Sequence, residues 1–240
     1  TINAGTTGTI SLDDTTVALS GDATDLAVAL GGTFAGGKGH TGTVTVTSGT
    51  DYTVTELKTI NAGTTGTITF SDPAVTLSGD ATDLAVALAG TTNHNATVTV
   101  TNASAYTLTE LKVINAGTAG SISFQDTTVA LSGDATDLAV ALAGTTNHNG
   151  AVTVTNASAY TATELQTINN GTSGTISLDD TTVALSGSGT VVAAALAGTF
   201  AGGKGHTGAV TVSNASAYTV TELKVINAGT TGAITFSDVT

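Results

Sequence analysis

Two apolar rhythms alternate along the chain. In Thr97-Val-Thr-Val-Thr101, Thr67-Ile-Thr-Phe70 and Ser121-Ile-Ser-Phe124 every second residue is apolar, the period of a half-buried strand. β-Branched and aromatic residues suit such a pleated surface, so Val98, Val100, Ile68 and Phe70 are expected to point inward and the Thr and Ser residues outward. Between these stretches the period changes. Leu84 and Leu88, or Leu111 and Ile114, fall three or four residues apart, which places them on one face of a helix. The helices carry their own start signals. In Thr107-Leu-Thr-Glu110 the Thr can cap the first turn while the Glu reaches back to the N–H of the cap. The same box stands at Thr53/Glu56, Thr161/Glu164 and Thr219/Glu222, with an acidic version at Asp80/Asp83 and Asp134/Asp137. Gly117 is expected to close its helix in the left-handed conformation.

These elements repeat. The phrase Ile-Asn-Ala-Gly-Thr begins at Ile2, Ile60, Ile114 and Ile226, with Ile-Asn-Asn-Gly-Thr at Ile168. The acidic anchor of each helix phrase stands at Asp25, Glu56, Asp83, Glu110, Asp137, Glu164 and Glu222, with Val191 in place of the acid in one copy. The basic unit is therefore 27 residues in two alternating flavours, and the two intervals of 31 carry a four-residue insertion in the loops Thr33–Gly42 and Thr199–Gly208.

One strand and one helix cannot bury their own apolar faces, so such units must stack on each other. Strands joined through helices run parallel and cross over right-handedly. The expectation is an α/β fold, a right-handed parallel solenoid of about eight 27-residue turns. Its cross-section is either leucine-rich-repeat-like or β-helix-like. Val17-Ala-Leu, Val75-Thr-Leu and Val129-Ala-Leu are candidates for a short second strand in alternate turns. Residues 1–240 read as a single solenoid domain with uncapped ends, a segment of a longer repeat protein or of a polymer.

The phrases Ala-Leu-Ser-Gly-Asp-Ala-Thr-Asp-Leu-Ala-Val-Ala-Leu-Ala-Gly-Thr and Tyr-Thr-Leu-Thr-Glu-Leu-Lys-Val-Ile-Asn-Ala-Gly-Thr resemble the tandem repeats of very large secreted bacterial proteins, notably in cyanobacteria. The resemblance covers essentially the whole chain. It implies an adhesin-like or surface-layer-like protein outside the cell and transfers no catalytic residue. Leucine-rich repeats share the unit length, but their Leu-x-x-Leu-x-Leu-x-x-Asn signature is missing.

Composition narrows the partners. Five basic residues against 18 acidic ones give a net charge of −13, which repels phosphate backbones and anionic lipid heads. Nucleic acid is not expected as a partner, nor is membrane insertion, because the longest apolar runs, such as Leu84–Ala89, are too short to span a bilayer. With no cysteine, stability must come from packing and hydrogen bonds. Self-assembly with identical or neighbouring repeats, polysaccharide and the cell surface remain as candidate partners.

Candidate sites follow the repeat. Thr43, Thr45, Thr47, Thr67, Thr69, Thr97, Thr99 and Thr101 form a hydroxyl face that would serve assembly or would bind ice or polysaccharide, weakening where Ser121, Ser123, Ala151, Ala209 and Ala233 replace Thr. Asp13, Asp14, Asp72, Asp126, Asp179, Asp180 and Asp238 lie where loops leave strands and are candidate Ca²⁺ ligands, although helix capping and solvated loops explain most such residues and the EF-hand and nonapeptide signatures are absent. His40, His94, His148 and His206 occupy one loop of alternate turns and read as surface residues too far apart to share a metal. Tyr52, Tyr106, Tyr160 and Tyr218 each precede a capping Thr, as a hydrophobic staple or as an aromatic strip for carbohydrate. The Gly-Gly-Lys-Gly-His loops at Gly36 and Gly202 lack the Ser or Thr of a phosphate loop. Every candidate recurs once per repeat, whereas a catalytic site is singular, so the reading is a structural or adhesive repeat protein of a surface layer, sheath or filament, and not an enzyme.

Overall fold

The computed structural model describes residues 3–47, 52–101, 106–155, 160–213 and 218–237. The chain forms two compact units, Thr1–Gln125 and Asp126–Thr240. In the first, after a 3-10 turn at Asn3–Gly5, the order is β1 (Leu19–Gly21), α1 (Ala23–Leu30), β2 (Val44–Val46), α2 (Val54–Gly63), β3 (Ile68–Phe70), β4 (Leu77–Gly79), α3 (Ala81–Leu88), β5 (Val98–Val100), α4 (Leu108–Gly117) and β6 (Ile122–Phe124). The second repeats it with β7 (Leu131–Gly133), α5 (Ala135–Leu142), β8 (Val152–Val154), α6 (Ala162–Gly171), β9 (Ile176–Leu178), β10 (Leu185–Gly187), α7 (Gly189–Leu196), β11 (Val210–Val212), α8 (Val220–Gly229) and β12 (Ile234–Phe236).

The strands form four three-stranded parallel sheets, β1-β2-β3, β4-β5-β6, β7-β8-β9 and β10-β11-β12. A repeating strand–helix α/β architecture is therefore present, but twelve strands accompany eight helices among the described residues. The surplus is the second strand anticipated in alternate turns, which begins at Leu19, Leu77, Leu131 and Leu185, two residues later than the Val-led phrases suggest.

Helices of eight to ten residues are marginal alone. These hold because each buries at least one Leu or Ile, such as Leu57, Ile60, Leu84, Leu88, Leu111 and Ile114, in the same core as the inward strand residues Val44, Val46, Val98, Val100 and Ile68. Each such burial is worth roughly 1.5–3 kcal/mol. Within each unit consecutive helices pack on one another.

The Thr-Glu capping boxes form at Thr53, Thr107, Thr161 and Thr219, and Asp22, Asp80 and Asp134 cap the alternate helices. The expected role of Gly117 is corrected. It is the last helical residue and does not have positive φ. It is small because a Cβ there would run into the Leu88 carbonyl of the preceding helix. Gly90 and Gly144, at φ 76° and 74°, occupy the left-handed region instead, at the ends of α3 and α5.

The sheet is not one continuous ladder. Beyond β3 the next backbone pairs only through a bridge from Ile68 to Thr91. There the side-chain amide of Asn93 accepts from the Phe70 N–H (2.9 Å) and donates to its carbonyl (2.8 Å). A side chain thus satisfies backbone groups that a strand would otherwise pair.

Candidate functional site

The hydroxyl face is in place, in short rows. Strand register aligns Ser20 with Thr45 and Thr69, and Ser78 with Thr99 and Ser123. The hydroxyls bond across strands: Thr45 to Thr69 at 3.2 Å, Thr97 to Ser121 at 3.2 Å, Thr99 to Ser123 at 3.2 Å and Thr211 to Thr235 at 3.1 Å. Thr43, Thr47, Thr67 and Thr97 are exposed, while Thr45, Thr69, Thr99 and Thr101 are half-buried. Chemically this is a strip of methyl groups and paired hydroxyls, suited to polyhydroxyl partners and interrupted after every third strand.

The acidic loop residues close turns. Asp14 accepts from the Thr16 N–H (2.8 Å) and hydroxyl (2.7 Å), Asp126 from Thr128 (2.9 and 2.6 Å) and Asp180 from Thr182 (2.8 and 2.6 Å). These hydrogen bonds hold all three carboxyls below the usual range. Asp72 accepts from the Ala74 N–H at 3.0 Å, and Asp13 and Asp179 are exposed. Asp238 lies outside the described residues. Among the described residues no three His, Asp or Glu side chains come together as a metal-binding group.

The histidines are not surface residues. His40, His94, His148 and His206 are at most 2% exposed. In each, Nδ1 meets a Thr hydroxyl, at Thr64 (2.9 Å), Thr118 (2.7 Å), Thr172 (2.9 Å) and Thr230 (3.1 Å). Nε2 meets the carbonyl of Val17 (2.7 Å), Val75 (2.8 Å), Val129 (3.0 Å) or Val183 (2.7 Å). A carbonyl only accepts, so Nε2 carries the proton of the neutral ring and Nδ1 accepts from the Thr. Burial lowers the pKa of His94, His148 and His206 against the opposing pull of the Val carbonyl, which keeps them neutral near pH 7. One signal for this node is readable in the sequence: His and Thr stay 24 residues apart in all four copies, with or without the insertion.

A second node joins neighbouring helices. The Thr at the second position of one helix donates to the capping-box Glu of the next: Thr24 to Glu56 (2.7 Å), Thr82 to Glu110 (2.6 Å), Thr136 to Glu164 (2.7 Å) and Thr190 to Glu222 (2.7 Å). The other carboxylate oxygen takes the N–H and hydroxyl of the cap, 2.8 Å each at Thr107. Burial raises the pKa of Glu56, Glu110 and Glu164, but these bonds outweigh it and leave each below the ordinary value. Lys58 and Asp83 add an ion pair between α2 and α3.

The tyrosines are not an exposed strip. Tyr52, Tyr106 and Tyr160 are 2–3% exposed. Tyr52 stacks on Phe70 with ring centroids 4.6 Å apart, Tyr106 on Phe124 at 4.7 Å and Tyr218 on Phe236 at 4.9 Å. The Tyr160 hydroxyl donates to the Asp180 carbonyl at 2.6 Å, and its ring meets His206 edge-on at 6.4 Å. Burial pushes the Tyr52 phenol up to about 12.

The geometry defines an α/β repeat protein in which titratable groups serve as structural nodes. No protein-family model, curated protein or solved structure matches the chain. Among the described residues no helix is long and apolar enough to cross a membrane.

Proposed function

We propose that this chain is a structural repeat element of a bacterial surface layer, sheath or filament, built as a parallel α/β solenoid whose task is to supply length and stiffness outside the cell. The observation that carries this reading is the Thr-to-Glu bond between paired helices, which recurs at every second helix step, α1 to α2, α3 to α4, α5 to α6 and α7 to α8, at 2.6–2.7 Å. A charge-assisted bond at the same place in every pair of repeats resists sliding and splaying of the helices it joins, the deformation that a load-bearing stack must withstand. The resemblance to repeats of large secreted bacterial proteins points the same way, and calcium held by the acidic loops would lessen repulsion in a chain of net charge −13.

Immunogold electron microscopy of intact producing cells, with and without a calcium chelator, tests the reading. Labelled filaments, sheets or a sheath on the exterior are expected, with chelation loosening them if the Asp loops bind the ion. Label confined to the cell interior would overturn the proposal. The hydroxyl rows favour a second reading, a module that binds polysaccharide or ice. It predicts saturable glycan-array binding or thermal hysteresis by the isolated chain, lost on Thr45→Ala and Thr69→Ala together.

A further inference from the structure

One loop departs from its sister loops at two adjacent positions. After Phe70 the chain runs Ser71-Asp72-Pro73-Ala74, whereas the sister loops read Asp14-Thr15-Thr16, Asp126-Thr127-Thr128 and Asp180-Thr181-Thr182. Pro73 is the only proline of the chain. In the sister loops the Asp carboxylate is tied by both the N–H and the hydroxyl of the second Thr. Ala74 has no hydroxyl, and Asp72 accepts the Ala74 N–H alone, at 3.0 Å. The ring closed by that bond contains the Asp72–Pro73 peptide, which keeps the carboxylate beside the carbonyl carbon of its own residue.

The oxygen of that carbonyl already has a donor. The Tyr52 hydroxyl reaches it at 3.2 Å, from a side chain that is buried. Asp180 has the matching donor in Tyr160 but is followed by Thr181. The rest of the loop is pinned, because the Asn95 N–H donates to the Pro73 carbonyl at 3.0 Å and His94 Nε2 to that of Val75 at 2.8 Å. Tyr52 and His94 are the titratable side chains bonded to the loop. Burial moves the phenol up to about 12 and the imidazole below its ordinary value, so both are uncharged at neutral pH and neither neutralises the Asp72 carboxylate.

We propose that the Asp72–Pro73 peptide is a self-cleavage site, severed in mild acid by the Asp72 carboxylate. A carboxylate oxygen attacks the Asp72 carbonyl carbon and closes a cyclic anhydride ring. The C=O electron pair moves onto the oxygen, where the Tyr52 O–H stabilises the charge and its bond tightens as that charge develops. The pair then returns, the C–N bond breaks with its electrons on the Pro73 nitrogen, and that nitrogen takes a proton from the acid medium. A prolyl nitrogen is more basic than that of a Thr and accepts the proton more readily, so the sister loops lack the leaving group. Water opens the anhydride, leaving a carboxyl terminus at Asp72 and a secondary amine at Pro73. The event is a single turnover at a singular place, where the periodic side chains offer no catalyst. It goes beyond the structural-element reading and does not depend on it.

The test is intact-mass spectrometry of the full chain held at about pH 5. Two fragments, Thr1–Asp72 and Pro73–Thr240, are expected, with masses that together exceed the parent by one water. Because the fold places both carboxylate and donor, folded chain should cleave at least tenfold faster than chain unfolded in urea at the same pH. Tyr52→Phe keeps the ring and removes the donor, and Ala74→Thr restores the second tie on the carboxylate. Each is expected to slow the folded chain and to leave the rate in urea unchanged, while Pro73→Ala abolishes cleavage at this bond. The comparison of folded with unfolded wild type needs no variant and decides the matter if a variant fails to fold. Absence of these fragments, a folded rate no higher than the rate in urea, or a wild-type rate in folded Tyr52→Phe would each overturn the proposal.

Discussion

Residues 3–47 and 169–213 carry nearly the same sequence and the same polar wiring, and they differ in what covers them. His40 and His206 each bond a Thr hydroxyl and a Val carbonyl, at 2.9 and 2.7 Å in the first and 3.1 and 2.7 Å in the second. Asn3 and Asn169 each donate to a carbonyl of the following helix, at 2.7 and 2.9 Å. The apolar side departs from this agreement. Leu185 is 1% exposed while its counterpart Leu19 is half-buried, and a cavity stands in the first copy where Tyr160 fills the second. Directional bonds are set by groups close at hand and form in both copies. Closing the apolar surface needs the preceding segment, the nearest-neighbour behaviour expected of stacked repeats.

The most forceful way to erase the contrast is Tyr160→Ala, which opens in the second copy the cavity already present in the first. Loss of a buried aromatic should cost about 3–5 kcal/mol, read as a lower urea midpoint. A midpoint unchanged within error would mean that the ring does not close the repeat. Next comes a paired substitution. A Cβ on Gly171 would collide with the Leu142 carbonyl, whereas one on Gly5 meets nothing within 4 Å. Gly171→Ala is expected to cost about 1–3 kcal/mol by overpacking and Gly5→Ala to stay within about 0.5 kcal/mol. Equal effects in urea titrations would break the comparison.

Acid provides a third probe. The folded pKa of His94, His148 and His206 lies below the unfolded value of 6.5, so below pH 6.5 the unfolded chain binds more protons. The stability from these neutral rings is complete above that pH and is lost as pH falls toward their folded pKa. Glu56, Glu110 and Glu164 add a second loss of the same sign as pH falls below 4.5. Thermal midpoints between pH 7.5 and 5.5 should therefore decline, and His206→Gln should flatten the decline. A flat wild-type profile would contradict the burial of neutral imidazoles. A smaller effect is expected from Thr190→Val, which removes one exposed hydrogen bond to Glu222 and should lower the melting temperature by less than Tyr160→Ala or Gly171→Ala while leaving the His206 ring signals unchanged.

Much of this was legible in the sequence because it is local. Thr107 and Glu110 are three residues apart and their box follows from helix geometry; Val98 and Val100 alternate and point inward as alternation requires. What was not legible depends on partners far along the chain. His94 sits in a polar loop phrase, Thr-Thr-Asn-His-Asn, and only Thr118 and Val75 make its burial tolerable. Asn93 resembles any loop asparagine until the Phe70 backbone is set beside it. Gly117 offers two reasons for being glycine, and the choice between a left-handed stop and a close approach is made by the Leu88 carbonyl one turn away. For the hydroxyl face, the Thr-x-Thr rows were visible, but the three-strand limit on their length was not.

The loop at Gly36 and Gly37 shows how the repeat accommodates a change of length. Both residues have positive φ, 82° and 91°, and the extra residues turn back on Phe34 through an antiparallel bridge to Gly37. Across the added length His40 makes the same two bonds as His94, which has no insertion before it. The loop therefore works as an expansion joint. A foreign epitope or an affinity tag spliced between Gly36 and Gly37, or between Gly202 and Gly203, should be displayed at a fixed place in the repeat while the flanking strands keep their register.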